Sequence, residues 1–277
     1  MKAVLAFARL ELMDALRSKW LVFASVLYLG LLATFVWLGL RESSVLGFTG
    51  LSRVLLNLSN AVIVVFPLVV LVGTHSAIVR ARTSGFCELM LTQPVRRSTW
   101  FWGLLLSRAV VLIGPLVLIL LGCTVAAAFI EDDPGLAMVA ARSLGITTAL
   151  IFAFLGIGLW ISARARTLER AIVLALIAWV VTAAVHDVFL IAVLLRTPLP
   201  PHVVFFASVL NPSEAARVGL LTSVDPELSA LGPVGFWLAN KLGAGMALAV
   251  AIGWPLALGA FGSWRAARRV EAADLVA

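Results

Sequence analysis

The charged side chains inside apolar stretches are the first candidates for chemistry in this 277-residue chain. Asp187 and Arg142 each lie about seven or eight residues, or roughly 12 Å, inside such a stretch. An isolated charge in hydrocarbon is costly, and a partner of opposite charge is the usual remedy. The sequence therefore predicts an Arg142–Asp187 ion pair. Such a pair would hold two helices together, the interpretation we favour, or act in substrate binding or gating.

The sequence lacks the usual motifs for nucleotide binding, metal binding and catalysis by a serine nucleophile. It contains no G-x-x-x-x-G-K-[ST] phosphate loop, no H-E-x-x-H metal motif and no G-x-S-x-G nucleophile turn. His75, His186 and His202 are scattered singly, and the two cysteines, Cys87 and Cys123, have no metal-ligand spacing. We therefore expect this chain to hold no catalytic residue, no metal and no cofactor.

The segment 80–99 carries the most specific local pattern. Gly85 is expected to break a helix, an amphipathic turn follows, and Pro94 ends that turn before the paired Arg96 and Arg97. A short helix held parallel to the membrane in this way suits docking into a groove of a soluble partner. An ordinary cytoplasmic loop is the alternative that these residues leave open.

Six long apolar stretches must position these residues. The chain is 62% hydrophobic and 13% charged, which is typical of a membrane protein. An apolar helix needs about 20 residues to cross the hydrocarbon layer, and the alternating strands of a membrane barrel are absent from the sequence. We predict an all-α integral membrane protein, one domain over 1–277. The predicted membrane helices are Trp20–Leu40, Leu55–Val79, Trp100–Ile130, Leu136–Ile161, Ala171–Leu195 and Val234–Trp264.

The distribution of basic residues predicts the orientation of these helices. The N-terminal flank and the gap 80–99 hold four Lys or Arg residues each, while the gap 162–170 and the C-terminal tail hold three each. The alternate gaps hold only four, and basic residues in short loops stay in the cytoplasm. Both termini should therefore be cytoplasmic. The net charge of +7 then follows from topology and from anionic inner-leaflet lipids, and no nucleic acid is expected as a partner.

Two segments outside the membrane helices have patterns of their own. Residues 1–19 predict an amphipathic helix on the inner surface, with a frayed cytoplasmic leader as the alternative. The gap 196–233 should form a periplasmic loop, in which Asn211-Pro212-Ser213-Glu214 predicts the capped start of a short helix to about Leu221. The preceding stretch 203–210 is too short to span the membrane, so an interfacial or re-entrant position is expected.

Small residues recur every four positions on the last predicted helix. They are Ala239, Gly243, Ala247, Ala251, Pro255 and Gly259. Because such stripes let helices approach closely, they predict a helix-packing face. The sequence does not decide whether this face packs within one subunit or across a dimer.

Several short motifs occur in order over most of the chain. They are Glu11-Leu12, Leu46-Gly47-Phe48-Thr49, Ala77-Ile78-Val79, Leu91-Thr92-Gln93-Pro94 and Leu210-Asn211-Pro212. Six predicted membrane helices, a leading helix on the inner surface and the loop from Gly85 through Glu88-Leu89-Met90-Leu91-Thr92-Gln93-Pro94-Val95-Arg96-Arg97 resemble the permeases of export-type ABC transporters. Within that family, the short motifs and Asp187 make the chain most similar to the permeases of nitrous oxide reductase maturation.

The resemblance implies a homodimer in the bacterial inner membrane that binds two copies of a separate cytoplasmic ATPase. ATP and Mg²⁺ would bind to that ATPase, and a β-helical protein would dock on the periplasmic side. The ATPase-coupling residues implied by the resemblance are Gly85, Glu88, Leu89, Thr92, Gln93, Pro94, Arg96 and Arg97. One departure is that Arg80, Ala81 and Arg82 stand where such permeases carry an acidic stretch, so the charge of the docking surface should differ.

The function that the resemblance implies is a permease subunit that serves copper-site assembly in nitrous oxide reductase, with a sulfur species as cargo. An exporter of a drug, lipid or polysaccharide is the alternative with the same architecture. An intramembrane enzyme is the alternative of another class, and the scattered histidines argue against it.

Overall fold

The computed structural model describes residues 2–16, 22–23, 26–27, 29–30, 63–92, 96–128, 136–224 and 232–272, and every regular element in these ranges is helical. The first half of the described chain contains α1 (Lys2–Leu16), α2 (63–74), α3 (Ala77–Thr83), α4 (Phe86–Leu91) and α5 (Arg97–Ala128). The second half contains α6 (Leu136–Arg164), α7 (Leu168–Val180), α8 (His186–Arg196), α9 (Pro201–Val209), α10 (Pro212–Val224), α11 (Gly232–Trp237) and α12 (Gly243–Ala272).

Five described stretches are long and apolar enough to cross a membrane. They are Ile63–Thr83, Arg97–Leu118, Met138–Arg164, Leu168–Arg196 and Pro233–Ala272. Each overlaps one of the predicted membrane helices, so the all-helical class is confirmed. Most of the first predicted helix, Trp20–Leu40, falls outside the described residues. Six membrane helices and cytoplasmic termini therefore stay predictions.

Helix α6 is the central element of the described bundle. It packs against α12, α5, α10 and α3, and Ile146, Leu150 and Phe154 along it are completely buried. Its closest neighbour is α12. A Cβ on Gly156 would overlap the backbone of Gly259, and a Cβ on Gly262 would lie 2.7 Å from the carbonyl carbon of Gly156. Only glycine at these positions lets the two backbones touch.

The small-residue face of α12 packs within the subunit. Ala247 and Ala251 are 1% and 0% exposed, and a Cβ on Gly219 of α10 would lie 2.5 Å from the Cβ of Ala251. The predicted face does not extend further back along the chain. Ala239 lies in a π-helical turn, Leu238–Leu242, and Gly243 has φ of +74°. The wider turn and the left-handed backbone both interrupt the four-residue repeat.

Helix α1 packs against the first turns of α5, with Phe7 and Ala8 at the contact near Gly103. Ala8 is buried, and a Cβ on Gly103 would lie 2.7 Å from the Cβ of Phe7. The larger apolar residues Leu5 and Met13 remain half exposed. The helix therefore has one side fastened to the bundle and an apolar side left for the membrane surface that the sequence predicts it to meet.

The contact between α6 and α12 predicts a sharp difference between two glycines of the same helix. Gly259→Ala would push a methyl group into the backbone carbonyl of Phe152, whereas Gly253→Ala would meet open space. Overpacking a tight contact costs about 1–3 kcal/mol. We expect Gly259→Ala to lower the thermal unfolding midpoint of the purified chain in detergent and Gly253→Ala to leave it unchanged or slightly raised. Equal midpoints for the two variants would contradict this account.

Candidate coupling site

A helix break positions the start of α3. The chain turns at His75–Ser76 between α2 and α3, so the backbone N–H groups just after the turn need acceptors outside the helix. The hydroxyl of Ser162 on α6 accepts from the N–H of Ile78 at 2.9 Å and from that of Val79 at 3.3 Å. The beginning of α3 is thereby fastened to the end of α6.

Arg82 makes a second attachment between α3 and α6. Its Nη2 donates to the carbonyl oxygen of Ala163 at 2.9 Å, and its Nη1 donates to that of Ala165 at 3.4 Å. The last carbonyls of a helix lack partners within the helix and carry partial negative charge, so a guanidinium suits them. In the sequence, Arg82 is only one member of a basic stretch, which does not predict this role. Nothing in the local sequence specifies which carbonyls a lone arginine reaches.

Gly85 separates α3 from α4 as the sequence predicts. Its φ is +72°, in the left-handed region that glycine adopts without a Cβ penalty. The N–H of Ser84 donates to the carbonyl oxygen of Arg80 at 2.9 Å and closes α3, and the N–H of Glu88 donates to that of Gly85 at 3.1 Å and opens α4. The glycine thus produces a corner between two short helices.

Helix α4 has one packed side and one open side. Cys87 is completely buried, and the ring of Phe86 lies 6.1 Å from that of Trp100 at the start of α5. Burial raises the pKa of the Cys87 thiol, with Arg82 and Arg97 opposing the shift. The thiol therefore stays protonated and serves as a packing group. Glu88 on the same helix is exposed.

The structure describes five of the eight implied coupling residues with their side chains. Gly85 forms the corner, Glu88, Thr92 and Arg96 are exposed, and Arg97 is half-buried. Gln93 and Pro94 lie outside the described residues, as does the side chain of Leu89. Their coupling role stays a prediction.

The predicted ion pair between Arg142 and Asp187 does not form. Within the described part of the chain, the basic group closest to Asp187 is His186, whose Nδ1 lies 3.5 Å from Asp187 Oδ1, and Arg142 takes part in no ion pair. Helix α10 packs against α6 and also contacts the π-helical turn Val181–Val185, which directly precedes the helix that carries Asp187. A similar depth in two neighbouring helices did not bring the two side chains together.

The connection α9–α10 is instead attached to a π-helical turn between α7 and α8. Asn211 Nδ2 donates to the carbonyl oxygen of Thr182 at 2.6 Å, and its Oδ1 accepts from the N–H of Ser213 at 3.0 Å. The ring nitrogen His186 Nε2 donates to the carbonyl oxygen of Ala207 at 3.1 Å. Asn211 therefore caps α10, as its sequence pattern predicts, and also joins that helix to a backbone group released by the π turn.

Glu214 at the start of α10 is buried beside Arg217. The two side chains approach to 3.1 Å. Burial raises the pKa of Glu214; Arg217 opposes this shift, and the nearby Asp187 adds to it. Because its native pKa lies above the ordinary value of 4.5, the folded chain binds more protons at this group than the unfolded chain does. Its contribution therefore favours the folded state at low pH and is lost as pH rises above about 4.5.

The direction of the Glu214 pKa shift predicts the effect of Glu214→Gln. This substitution removes the titrating group and keeps an oxygen that can accept a hydrogen bond from Arg217. We expect the variant to unfold at a higher temperature than the parent chain at pH 7.5, with a smaller difference at pH 4.5. Thermal unfolding of both proteins in detergent across this range measures the difference, and background titrations cancel in the comparison. A difference that grows toward low pH would contradict the raised pKa.

Comparison with known proteins gives a consistent result over nearly the whole chain. The family described as ABC-2 family transporter protein matches residues 5–269. The chain is 29% identical over 260 residues to the probable ABC transporter permease protein NosY of Stutzerimonas stutzeri, an alignment that covers 92% of each chain. It is 30% identical over 270 residues to the protein of the same name from Pseudomonas aeruginosa, which covers 91% of this chain and 98% of that relative. This chain belongs to the ABC-2 family of transporter permeases.

Proposed function

We propose that the chain transmits work from a separate cytoplasmic ATPase to the rest of the membrane domain of an ABC transporter. The observation that carries the proposal is the helical corner at Gly85. One arm of the corner, α3, is fastened to the bundle through Ser162 and Arg82. The other arm, α4, leaves Glu88 exposed. A partner that presses on α4 therefore acts on an element with a firm connection to α6.

The contacts of α6 offer a continuous route for such a movement. Arg82 and Ser162 connect α3 to the last turns of α6. Gly156 of α6 lies in backbone contact with α12, and Ala251 of α12 lies against α10. Because these contacts are tight, α6 cannot shift at its inner end without moving its neighbours. Work applied at α4 would thereby reach the outer connection α9–α10.

The proposed assembly is a homodimer with two ATPase subunits in the bacterial inner membrane. The span Leu168–Arg196 supports a second copy, because it is the least buried of the five described spans. Asp187 lies on this span with a side chain that is 35% exposed. A carboxylate facing lipid is costly, and a second copy over this helix would remove it from hydrocarbon. ATP and Mg²⁺ would bind to the ATPase, and a periplasmic β-helical protein would dock outside.

We further propose that the transporter serves copper-site assembly in nitrous oxide reductase, with a sulfur species as its cargo. Support comes from the resemblance of the ordered motifs along the chain and from two relatives named NosY, which align over more than nine-tenths of this sequence.

The attachment through Arg82 provides a test of transmission. In Arg82→Gln, two charge-assisted hydrogen bonds to the end of α6 are lost, each of which contributes about 1.5–3 kcal/mol. We expect the ATPase to copurify with the variant as it does with the parent chain, whereas the response of the outer half of α12 to ATP falls about tenfold. Spin labels at the exposed Met246 in the two copies measure that response as a nucleotide-dependent change in distance.

Arg80→Gln is the matched control, because Arg80 lies on the same helix and is exposed. It should retain the full distance change. Equal responses in the two variants would show that the contact of Arg82 with α6 does not transmit the movement. Failure of any ATPase to copurify with the parent chain would contradict the proposed assembly itself.

Deletion of the gene tests the proposed system. In a bacterium that makes nitrous oxide reductase, we expect the reductase to accumulate without its sulfur-containing copper site. The absorption spectrum and copper content of the purified reductase measure this, and the intact chain supplied in trans should restore them. A fully loaded reductase together with increased sensitivity to a drug, or with altered lipid or polysaccharide export, would favour the alternative exporter.

A further inference from the structure

A basic cavity lies between the C-terminal ends of α6 and α12, beside the end of α6 that Arg82 contacts. Its volume is about 600 Å³. Both helix ends are predicted to be cytoplasmic. The cavity is lined by five arginines, Arg164, Arg166, Arg265, Arg268 and Arg269, which are all exposed. Neither the helical corner at Gly85 nor the contact of α6 with α12 requires this many cations.

The charge of the cavity is uncompensated within the described chain. No acidic side chain lines it, and none of its arginines takes part in an ion pair between described residues. Like charges gathered in one cavity raise the free energy of the isolated chain. An anion with several oxygen atoms would relieve that repulsion, and guanidinium groups bind phosphate oxygens in a bidentate manner.

Two tryptophans place the cavity at the boundary between lipid and water. The guanidinium of Arg164 lies 5.5 Å from the ring centre of Trp160, and that of Arg268 lies 5.3 Å from the ring centre of Trp264. Tryptophan concentrates at the level of the lipid headgroups. Both aromatic side chains also line the cavity, so its charged part lies where a headgroup would be.

The surface of α12 continues from the cavity toward the membrane centre as exposed apolar side chains. Leu256 and Phe261 are 39% and 54% exposed, and the ring of Phe261 lies 6.0 Å from that of Trp264. A free phosphate or a nucleotide has no acyl chain that would contact these apolar side chains. An acyl chain attached to a phosphate in the cavity would lie along this surface.

We propose that the cavity binds an anionic phospholipid of the cytoplasmic leaflet. The arginines hold the phosphodiester of the headgroup, and the apolar side of α12 receives an acyl chain. Basic pockets between membrane helices on the cytoplasmic side are suited to such headgroups. The bound lipid would be phosphatidylglycerol or a lipid with two phosphates, and a zwitterionic lipid would not replace it. This site does not depend on the identity of the cargo.

Native mass spectrometry of the delipidated full chain in detergent tests the site. The probes are phosphatidylglycerol, cardiolipin and phosphatidylcholine with identical acyl chains, together with glycerol 3-phosphate as a headgroup without chains. We expect the two anionic lipids to bind and phosphatidylcholine to bind at least tenfold more weakly. Each arginine neutralised should weaken the anionic lipids about fivefold, so Arg265→Gln/Arg268→Gln should weaken them about 25-fold.

The control is Arg80→Gln/Arg170→Gln, which removes two exposed cytoplasmic-side arginines that do not line the cavity. It should bind as the parent chain does. If Arg265→Gln/Arg268→Gln does not fold, as judged by its thermal unfolding, Arg164→Gln/Arg166→Gln removes two charges from the opposite wall and should give the same loss. Equal lipid binding by the cavity and control variants would overturn the proposal.

Two other results would assign the cavity to a different occupant. Binding of glycerol 3-phosphate as tight as that of phosphatidylglycerol would show an aqueous phosphate site, since the acyl chain would then contribute nothing. Loss of lipid binding when the ATPase is added, together with loss of ATPase copurification in Arg265→Gln/Arg268→Gln, would show that an acidic surface of the partner fills the cavity. Lipid binding that persists in the complex with the ATPase supports the proposal.

Discussion

The backbone contact between α6 and α12 is the constraint on which the rest of the described bundle depends. In lipid, no hydrophobic force draws helices together, so the attraction between two helices comes from how closely their surfaces pack. Gly156, Gly259 and Gly262 bring these two backbones into direct contact. The remaining sides of α6 then accept α5, α10 and α3. A larger residue at this crossing would force the two backbones apart.

Several polar attachments in this bundle occur where helices are interrupted. A regular helix uses its backbone groups internally, so an apolar helix offers few hydrogen-bonding groups to a neighbour. The turn before α3 leaves N–H groups for Ser162, and the end of α6 leaves carbonyl groups for Arg82. On the other side, the π turn leaves the carbonyl of Thr182 for Asn211. Helix breaks thus provide specific hydrogen bonds between helices whose other contacts are mostly apolar.

Local sequence patterns predicted local structural features, but they did not predict contacts between segments that are distant in the chain. Gly85 and Asn211 could be assigned from sequence because a left-handed corner and a helix cap depend on a few adjacent residues. Ala247 and Ala251 could be found from spacing, although the pattern could not show where the repeat ends at Gly243. The Arg142–Asp187 pair failed because depth along a helix does not determine rotation about its axis or what lies between. The attachment of Arg82 depends on the position of α6, which a single sequence does not display.

The C-terminal end of α12 limits the movements that this bundle can make. Arg265, Arg268 and Arg269 lie at that end, and moving their charges into hydrocarbon is costly. Displacement of α12 toward the membrane centre is therefore opposed, while the glycine contact opposes its separation from α6. Rotation or tilt about that contact moves no charge into lipid and keeps the backbones together. Under the proposed coupling through Arg82, a force on α6 would be expressed as tilt of the α6–α12 pair, which would carry α10 with it.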